Sequence, residues 1–240
     1  MTAQTLIPSA QTLVGSMLRL PLKLVPRDAV VPILSGPARG FRWIVGSSTH
    51  GCWLGTYEKA KQARFAGAIG PGDVVYDLGA QAGVYSLIAS RRVAPPGAVY
   101  AFEPLPRNIG FLQRHIELNA ASNITVVEVA LSDIEGNARF ADGPNSLQGS
   151  LDERGQRVVR AASLDALLAQ RYLRPPNAMK IDIEGGGLRA CLGAKETLRL
   201  YKPVIFLAID AASDYECCQF LQTLGYKIEE FAANEVVATA

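Results

Sequence analysis

Short apolar runs, glycine turns and stretches of helical spacing alternate along most of the chain. Val74-Val75-Tyr76, Ala98–Pro104, Ile124–Ala130, Met179–Gly185 and Pro203–Ile209 each read as a short buried strand. Helical segments stand between them. One starts at Val84, and Pro106–Asn119 puts Ile109, Leu112 and Ile116 on one face. Ser163–Gln170 has Ser163 as its N-cap, another helix runs from Gly185 through Leu188, Cys191 and Leu192, and Tyr215–Leu224 is the last. Strand-helix alternation predicts an α/β fold with a parallel sheet and helices on both faces. Lys227–Phe231 and Glu235–Thr239 predict a closing pair of strands, and Phe41–Val45 an early short one. Asn137–Ala162 breaks the alternation and reads as an inserted β-ribbon. Loops and ribbons at strand tips carry specificity, so this ribbon is the expected substrate-facing element.

The N-terminal stretch differs in character. Leu6, Ala10, Leu13, Val14, Met17 and Leu18 recur at helical spacing, Pro21 stops the pattern, and Arg19, Lys23 and Arg27 follow. Residues 5–20 offer a weak peripheral membrane contact, but the modest charge favours packing on the chain's own domain or on a second copy in a homo-oligomer. The expected organisation is a helical extension with short strands over residues 1–50 and one domain over 51–240.

Composition narrows the classes. At 240 residues and 49% hydrophobic, the chain can build one large α/β core. A net charge of +2 gives no strong field for nucleic acid or membrane. Four cysteines without C-x-x-C spacing read as reduced thiols of a cytoplasmic protein. His50 and His115 are too few and too separated for a histidine-built zinc site, and no metal is expected. His115, well inside its helix, reads as a surface or internally satisfied side chain rather than a base. No run of 18 or more apolar residues and no secretory signal is expected.

The candidate chemistry gathers at the strand ends. Val74–Ser86 reads strand, Asp77, a turn with Gly79, Gln81 and Gly83, then helix. This arrangement aims free backbone N–H groups at a ligand, and the glycines permit close approach. Glu103, ending the second strand, can accept hydrogen bonds from both hydroxyls of a ribose. A dinucleotide fingerprint would place pyrophosphate where Asp77 stands, and the like charges would repel. A cationic sulfonium and ammonium would instead be attracted, which favours S-adenosylmethionine over NAD. After the third strand, Ser132 and Asp133 are placed to meet the adenine, with Asp133 accepting from its amino group. Asn108, in the first turn of its helix, caps that helix or touches the ribose. Tyr57 and Glu58 stand where they could close over the cofactor. On the fourth strand, period two puts Lys180, Asp182 and Glu184 on one face, with Asp182 and Glu184 nearest the ligand-binding tip and Lys180 as their ion-pair partner.

Taken together, these residues resemble the FkbM family of S-adenosylmethionine-dependent methyltransferases. The match lies in Gly55-Thr56-Tyr57-Glu58, Asp77-x-Gly79-Ala80, Ala101-Phe102-Glu103-Pro104, Leu131-Ser132-Asp133, Lys180-Ile181-Asp182-Ile183-Glu184-Gly185 and Lys202-Pro203, within about residues 50–210. The resemblance implies a seven-stranded, Rossmann-like class I methyltransferase fold. It also implies O-methylation of a small-molecule or glycan hydroxyl, with cofactor binding at Asp77, Gly79 and Glu103. Gln81 stands where the family usually has Asn, and Gly187 where it usually has an acid.

An alcohol is a poor nucleophile at neutral pH, so a general base is useful, and Asp182 or Glu184 is the candidate. Gly187 and Ala208 motivate a rival reading, a cofactor-binding partner subunit that no longer methylates. A NAD-dependent oxidoreductase is the third. A nucleic-acid acceptor is not expected, because no basic stripe is visible.

Overall fold

The computed structural model describes residues 22, 24–142, 149–209 and 211–240. The predicted N-terminal helix lies outside them, as does Asp210. No described helix is long and apolar enough to cross a membrane.

In chain order, β1 (Val30–Pro32) and β2 (Arg42–Ile44) form an antiparallel pair ahead of α1 (His50–Leu54) and α2 (Lys59–Ala68). Then come β3 (Val74–Leu78), α3 (Val84–Val93), β4 (Ala98–Phe102), α4 (Pro106–Leu118) and β5 (Ile124–Val127). The inserted unit is β6 (Ala130–Leu131), β7 (Gly136–Asp142), β8 (Gly149–Leu151) and β9 (Arg157–Ala162). The chain continues with α5 (Leu164–Ala169), β10 (Ala178–Ile181), α6 (Gly187–Leu192), α7 (Lys195–Tyr201), β11 (Val204–Ala208) and α8 (Ala212–Thr223), and closes with β12 (Lys227–Ala232) and β13 (Glu235–Thr239).

The central sheet has seven strands in the order β12-β13-β11-β10-β3-β4-β5, with β11 to β5 parallel and β13 antiparallel to β11. The strand order reverses beside β3, and in such sheets the ligand crevice opens at that reversal, beyond the carboxyl ends. Period two sorts the strands onto two cores. Val75, Val99 and Phe206 pack with Phe65, Leu87 and Trp43 on one face. Tyr76, Phe102, Met179 and Ile205 pack with Leu164, Leu198 and Leu221 on the other. Trp43 and Ile33 share the first core, so the β1–β2 pair is part of this body.

The sequence reading differs from the structure in three places. The expected third strand over Ile124–Ala130 breaks after Val127, and Ala130-Leu131 pairs with β9 instead. The ribbon is thereby a four-stranded sheet of order β6-β9-β7-β8, anchored by that short parallel contact. The fourth strand ends at Ile181, because Gly79 and the backbone beyond Asp182 converge there, so Glu184 leaves the expected face and sits at φ 25 in a turn.

His115 is the satisfied histidine of the two alternatives, and it is not remote from the strand tips. It is fully buried and stacks on Trp43 with ring centroids 4.0 Å apart. Its Nε2 accepts the Ile44 N–H at 2.9 Å, which leaves Nδ1 as the donor to the Ala82 carbonyl at 2.7 Å. One neutral ring therefore ties β2 to the glycine turn. Burial holds its pKa well below the ordinary 6.5, at about 4, against the opposing pull of the Ala82 carbonyl. A group whose proton is disfavoured by folding contributes fully above its unfolded pKa and loses that contribution as pH falls. Denaturant titrations should therefore show stability falling from about pH 6.5 to pH 4 by roughly 3 kcal/mol from this residue. In His115→Gln that slope should be missing. An equal slope in both proteins would assign it elsewhere.

Candidate active site

One cavity of about 400 Å³ opens at the reversal point. Its floor is the glycine turn, with Gly79, Ala80 and Gln81 lining it beside Glu103 and Asn108. Leu131 and Ser132 form one flank, the ribbon residues Phe140, Gly149, Ser150 and Leu151 another, and Asp182, Glu184, Gly185 and Arg189 the third, with Tyr57 and Tyr85 between.

The turn depends on two glycines. Gly79 has φ 78, and a Cβ there would lie 2.0 Å from the Asp182 carbonyl oxygen. Gly83 has φ 93, and its Cβ would strike Leu112 Cδ1 at 2.3 Å. Gly83 lies under the turn and outside the cavity lining. Gln81 sits between them at φ 52, a strained setting for a residue with a side chain. Its N–H donates to Glu103 Oε2 at 2.8 Å, and Ser48 Oγ donates to its side-chain oxygen at 3.1 Å; both help to hold it.

Glu103 is buried and lines the cavity. Its carboxylate accepts from the Gln81 N–H, the Leu105 N–H at 3.0 Å and the Asn108 side-chain amide at 3.2 Å. A carboxylate has about four acceptor positions, so about one remains for a ligand hydroxyl rather than the two expected. Burial raises its pKa, and these three donors, with Lys180, oppose the rise. Asn108 does not cap α4, whose N-cap is Leu105; from the cavity lining its amide positions Glu103.

Asp77 does not line the cavity. It is fully buried one layer below, where Ser86 Oγ donates to Oδ2 at 2.6 Å and Lys180 Nζ stands 3.3 Å from Oδ1. Period two explains the miss: Asp77 shares the inner face of β3 with Val75, beneath α3, and β10 places Lys180 directly across from it. Lys180 also donates to the Gly79 carbonyl at 2.9 Å. Asp77 acts on the turn through that lysine. Asp133 is a second displaced expectation. Its Oδ1 receives Arg189 Nε at 2.7 Å and Ser132 Oγ at 3.0 Å, and it is not part of the lining, whereas Ser132 is.

Asp182 faces the cavity with a partly exposed carboxylate, 3.5 Å from both Lys180 Nζ and Lys61 Nζ. Burial would raise its pKa, but the two lysines outweigh it and hold the carboxyl below the ordinary value. Asp182 is therefore an ionised hydrogen-bond acceptor rather than a strong base. Lys61 was not singled out by the sequence. It looked like one of several charges on a solvated helix, yet it is 2% exposed and meets Asp182, Glu58 at 3.7 Å and Glu235 at 2.8 Å. Glu58 does not close over the cavity. Strained at φ 43 before α2, it accepts the Tyr85 hydroxyl at 2.7 Å. Tyr57 does line the cavity, and burial pushes its phenol far above the ordinary range. At Gly187, a Cβ would lie 2.8 Å from Asp214 Oδ1, so buried Asp214 fills the space a side chain would need.

The profile of the methyltransferase FkbM domain matches residues 77–228. Hexuronic acid methyltransferase AglP of Haloferax volcanii is 27% identical over 135 residues, covering 55% of this chain and 54% of that protein. Ribosomal RNA large subunit methyltransferase E of Paracidovorax citrulli is 30% identical over 159 residues, covering 58% and 69%. Among solved structures, a methyltransferase FkbM from Methylobacillus flagellatus KT superposes with TM-score 0.51 at 18% identity, over 70% of this chain and 44% of that one. The chain thus spans about half the length of AglP and less than half of the M. flagellatus chain.

Removing Lys180 leaves Asp77 as a buried, uncompensated charge, which costs about 3–5 kcal/mol. Lys180→Met should lower the denaturation midpoint accordingly, and adding Asp77→Asn to it should restore part of the loss. Additive losses in the double variant would show that the two side chains do not act as a pair.

Proposed function

The chain belongs to the FkbM family of S-adenosylmethionine-dependent methyltransferases, and from that premise we propose that it is an O-methyltransferase acting on a hydroxyl of a glycan or other small molecule. The observation that carries this is Asp182, an ionised carboxylate on the cavity wall clamped between two buried lysines. Methyl transfer to an alcohol needs an acceptor for the hydroxyl's hydrogen bond and a fixed line of approach more than it needs a strong base.

The cavity suits S-adenosylmethionine. Its volume of about 400 Å³ lies within the usual range for small-molecule sites. The charged side chains of its wall are mostly carboxylates, and the two cations there, Lys180 and Arg189, are already paired. A sulfonium is attracted to such a wall, and a pyrophosphate is not. In this reading Glu103 takes one ribose hydroxyl, Gly79, Ala80 and Gln81 present the turn's backbone, and Leu131 and Ser132 flank the adenine. The cofactor supplies an electrophilic methyl group. Asp182 holds the acceptor hydroxyl, Glu184 and Tyr57 bound its approach, and the ribbon closes the outer side and excludes water.

The AglP likeness favours an acidic sugar as acceptor. Arg139, Arg154, Arg157 and Arg160 on the ribbon and its connections would suit an acidic chain. The ribosomal RNA methyltransferase likeness favours RNA as a second reading, and the same arginines would serve it.

Calorimetry with S-adenosylmethionine and a radiolabelled methyl assay on uronic-acid oligosaccharides and on ribosomal RNA test both readings. Methylation of the saccharide is expected. Methylation of RNA alone would replace the acceptor, and binding without transfer to any offered hydroxyl would favour the partner-subunit reading. Asp182→Asn should cut turnover by roughly 10²–10⁴-fold, far more than it weakens S-adenosylmethionine binding. Unchanged turnover would remove Asp182 from the reaction.

A further inference from the structure

Behind Asp182 lies a cluster that the transfer reaction as described does not use. Lys61 from α2 and Lys180 from β10 meet four carboxylates: Glu58 before α2, Asp77 on β3, Asp182 after β10 and Glu235 at the start of β13. The Tyr85 hydroxyl from α3 caps Glu58, Tyr57 stands beside it, and Arg64, one turn further along α2, is taken by Glu229 of β12 at 2.9 Å. Fully ionised, two cations against four anions leave the group negative in a largely buried place. A low-dielectric site answers such an excess by keeping a proton or by attracting a cation. Of the four carboxylates, Asp182 is the one in the cavity lining, beside Lys180, so a cation bound there is felt by the others through it.

We propose that this cluster exchanges a proton for the cofactor's positive charge, with Glu235 as the group that holds the proton and Lys61 as the link between Glu235 and Asp182. The proposal rests on the reading that the cavity takes S-adenosylmethionine. When the sulfonium binds beside Asp182, Glu235 gives its proton to solvent. In the transfer step the acceptor's oxygen forms its bond to the methyl carbon, the carbon–sulfur bond breaks with its electron pair left on sulfur, and the positive charge is gone. The hydroxyl proton passes to Asp182. Lys61 Nζ hands one of its protons to Glu235 Oε1 and, as the neutral amine so formed, takes the proton from Asp182. The site ends with one proton gained where one positive charge was lost, so its total charge is unchanged.

The geometry supports the route: Asp182 Oδ2 to Lys61 Nζ is 3.5 Å, and Lys61 Nζ to Glu235 Oε1 is 2.8 Å. Glu235 Oε2 is a buried oxygen with no hydrogen-bond partner, the setting of a carboxyl that carries its own hydrogen part of the time. Burial pushes the Glu235 carboxyl up to about 7, with Glu58 and Asp182 adding to the rise and Lys61 opposing it. Lys61 stays charged, because the carboxylates around it outweigh the cost of its burial. Lys61 and Glu235 are positioning residues; neither lines the cavity.

The test counts protons and needs no methyl acceptor. S-adenosylmethionine and S-adenosylhomocysteine are titrated calorimetrically into the whole protein at pH 7, each in phosphate and in Tris, whose ionisation heats differ. The same is done with Glu235→Gln. Subtracting the variant from the wild type cancels the ligands' own amines. About half a proton more should be released on S-adenosylmethionine binding in the wild type than in the variant, and none more on S-adenosylhomocysteine binding. Lys61→Arg, which keeps the charge, should retain the difference. Tight binding of both ligands with equal proton counts in wild type and Glu235→Gln overturns the exchange and leaves the cofactor reading standing. Failure of the wild type to bind either ligand overturns both. Should Glu235→Gln not fold, the wild type alone still decides: the release on S-adenosylmethionine binding minus that on S-adenosylhomocysteine binding must rise and fall around pH 7, and a difference flat from pH 5.5 to 8.5 overturns the proposal.

Discussion

The fold depends on one buried ion pair at the middle of its sheet. Asp77 and Lys180 face each other on neighbouring parallel strands, under a helix and out of reach of water. Charges in the interior of a parallel sheet are costly, and such pairs are seldom a net gain over well-packed apolar side chains. What the pair provides here is position. Lys180 spends its two remaining donors on the carbonyls of Leu78 and Gly79 and attracts Asp182 by charge at 3.5 Å, so one ammonium fixes the end of β3, the start of the glycine turn and the carboxylate just beyond β10. The cavity takes its shape from that convergence.

A second brace comes from the opposite side. The β1–β2 pair is a separate two-stranded sheet, yet Ile44 of β2 and Ser48 just beyond it reach the glycine turn, the first through His115 and the second directly through Gln81. A turn carrying a strained Gln81 would otherwise relax, and the energy that holds it is drawn from a hairpin remote in sequence. Residues before 50 are thus coupled to a site built by Tyr57 and by residues after 77.

The strand-helix alternation, the glycine turn, the ribbon and the closing strands were legible because each rests on local pattern. Period two divided β3 and β4 between two cores, and Ser163 caps α5 through its hydroxyl as its position suggests. Family motifs added what spacing alone does not supply. The misses have one physical origin, since each depends on a partner distant in the chain. Asp77 was assigned to the ligand because its strand end was visible and its cross-strand lysine was not. Asp133 was assigned to the cofactor, and Asn108 to a cap or the ribose, because Arg189 and Glu103, their partners, are neighbours only after folding. Lys61 is the clearest case. Nothing in Lys59-Ala60-Lys61-Gln62 separates a buried lysine from an exposed one until Asp182 and Glu235 arrive 121 and 174 residues later.

Gly79 and the Asp182 backbone are in direct contact, with no room for even a methyl group between them. The cradle of the donor and the carboxylate that meets the acceptor are consequently one rigid piece, with no hinge by which either could be retuned alone. Diversification of such a scaffold toward new acceptors is channelled to the ribbon, which joins the body at the short Ala130-Leu131 seam and through Phe140 and Val159 against Leu105, leaving its other positions to drift.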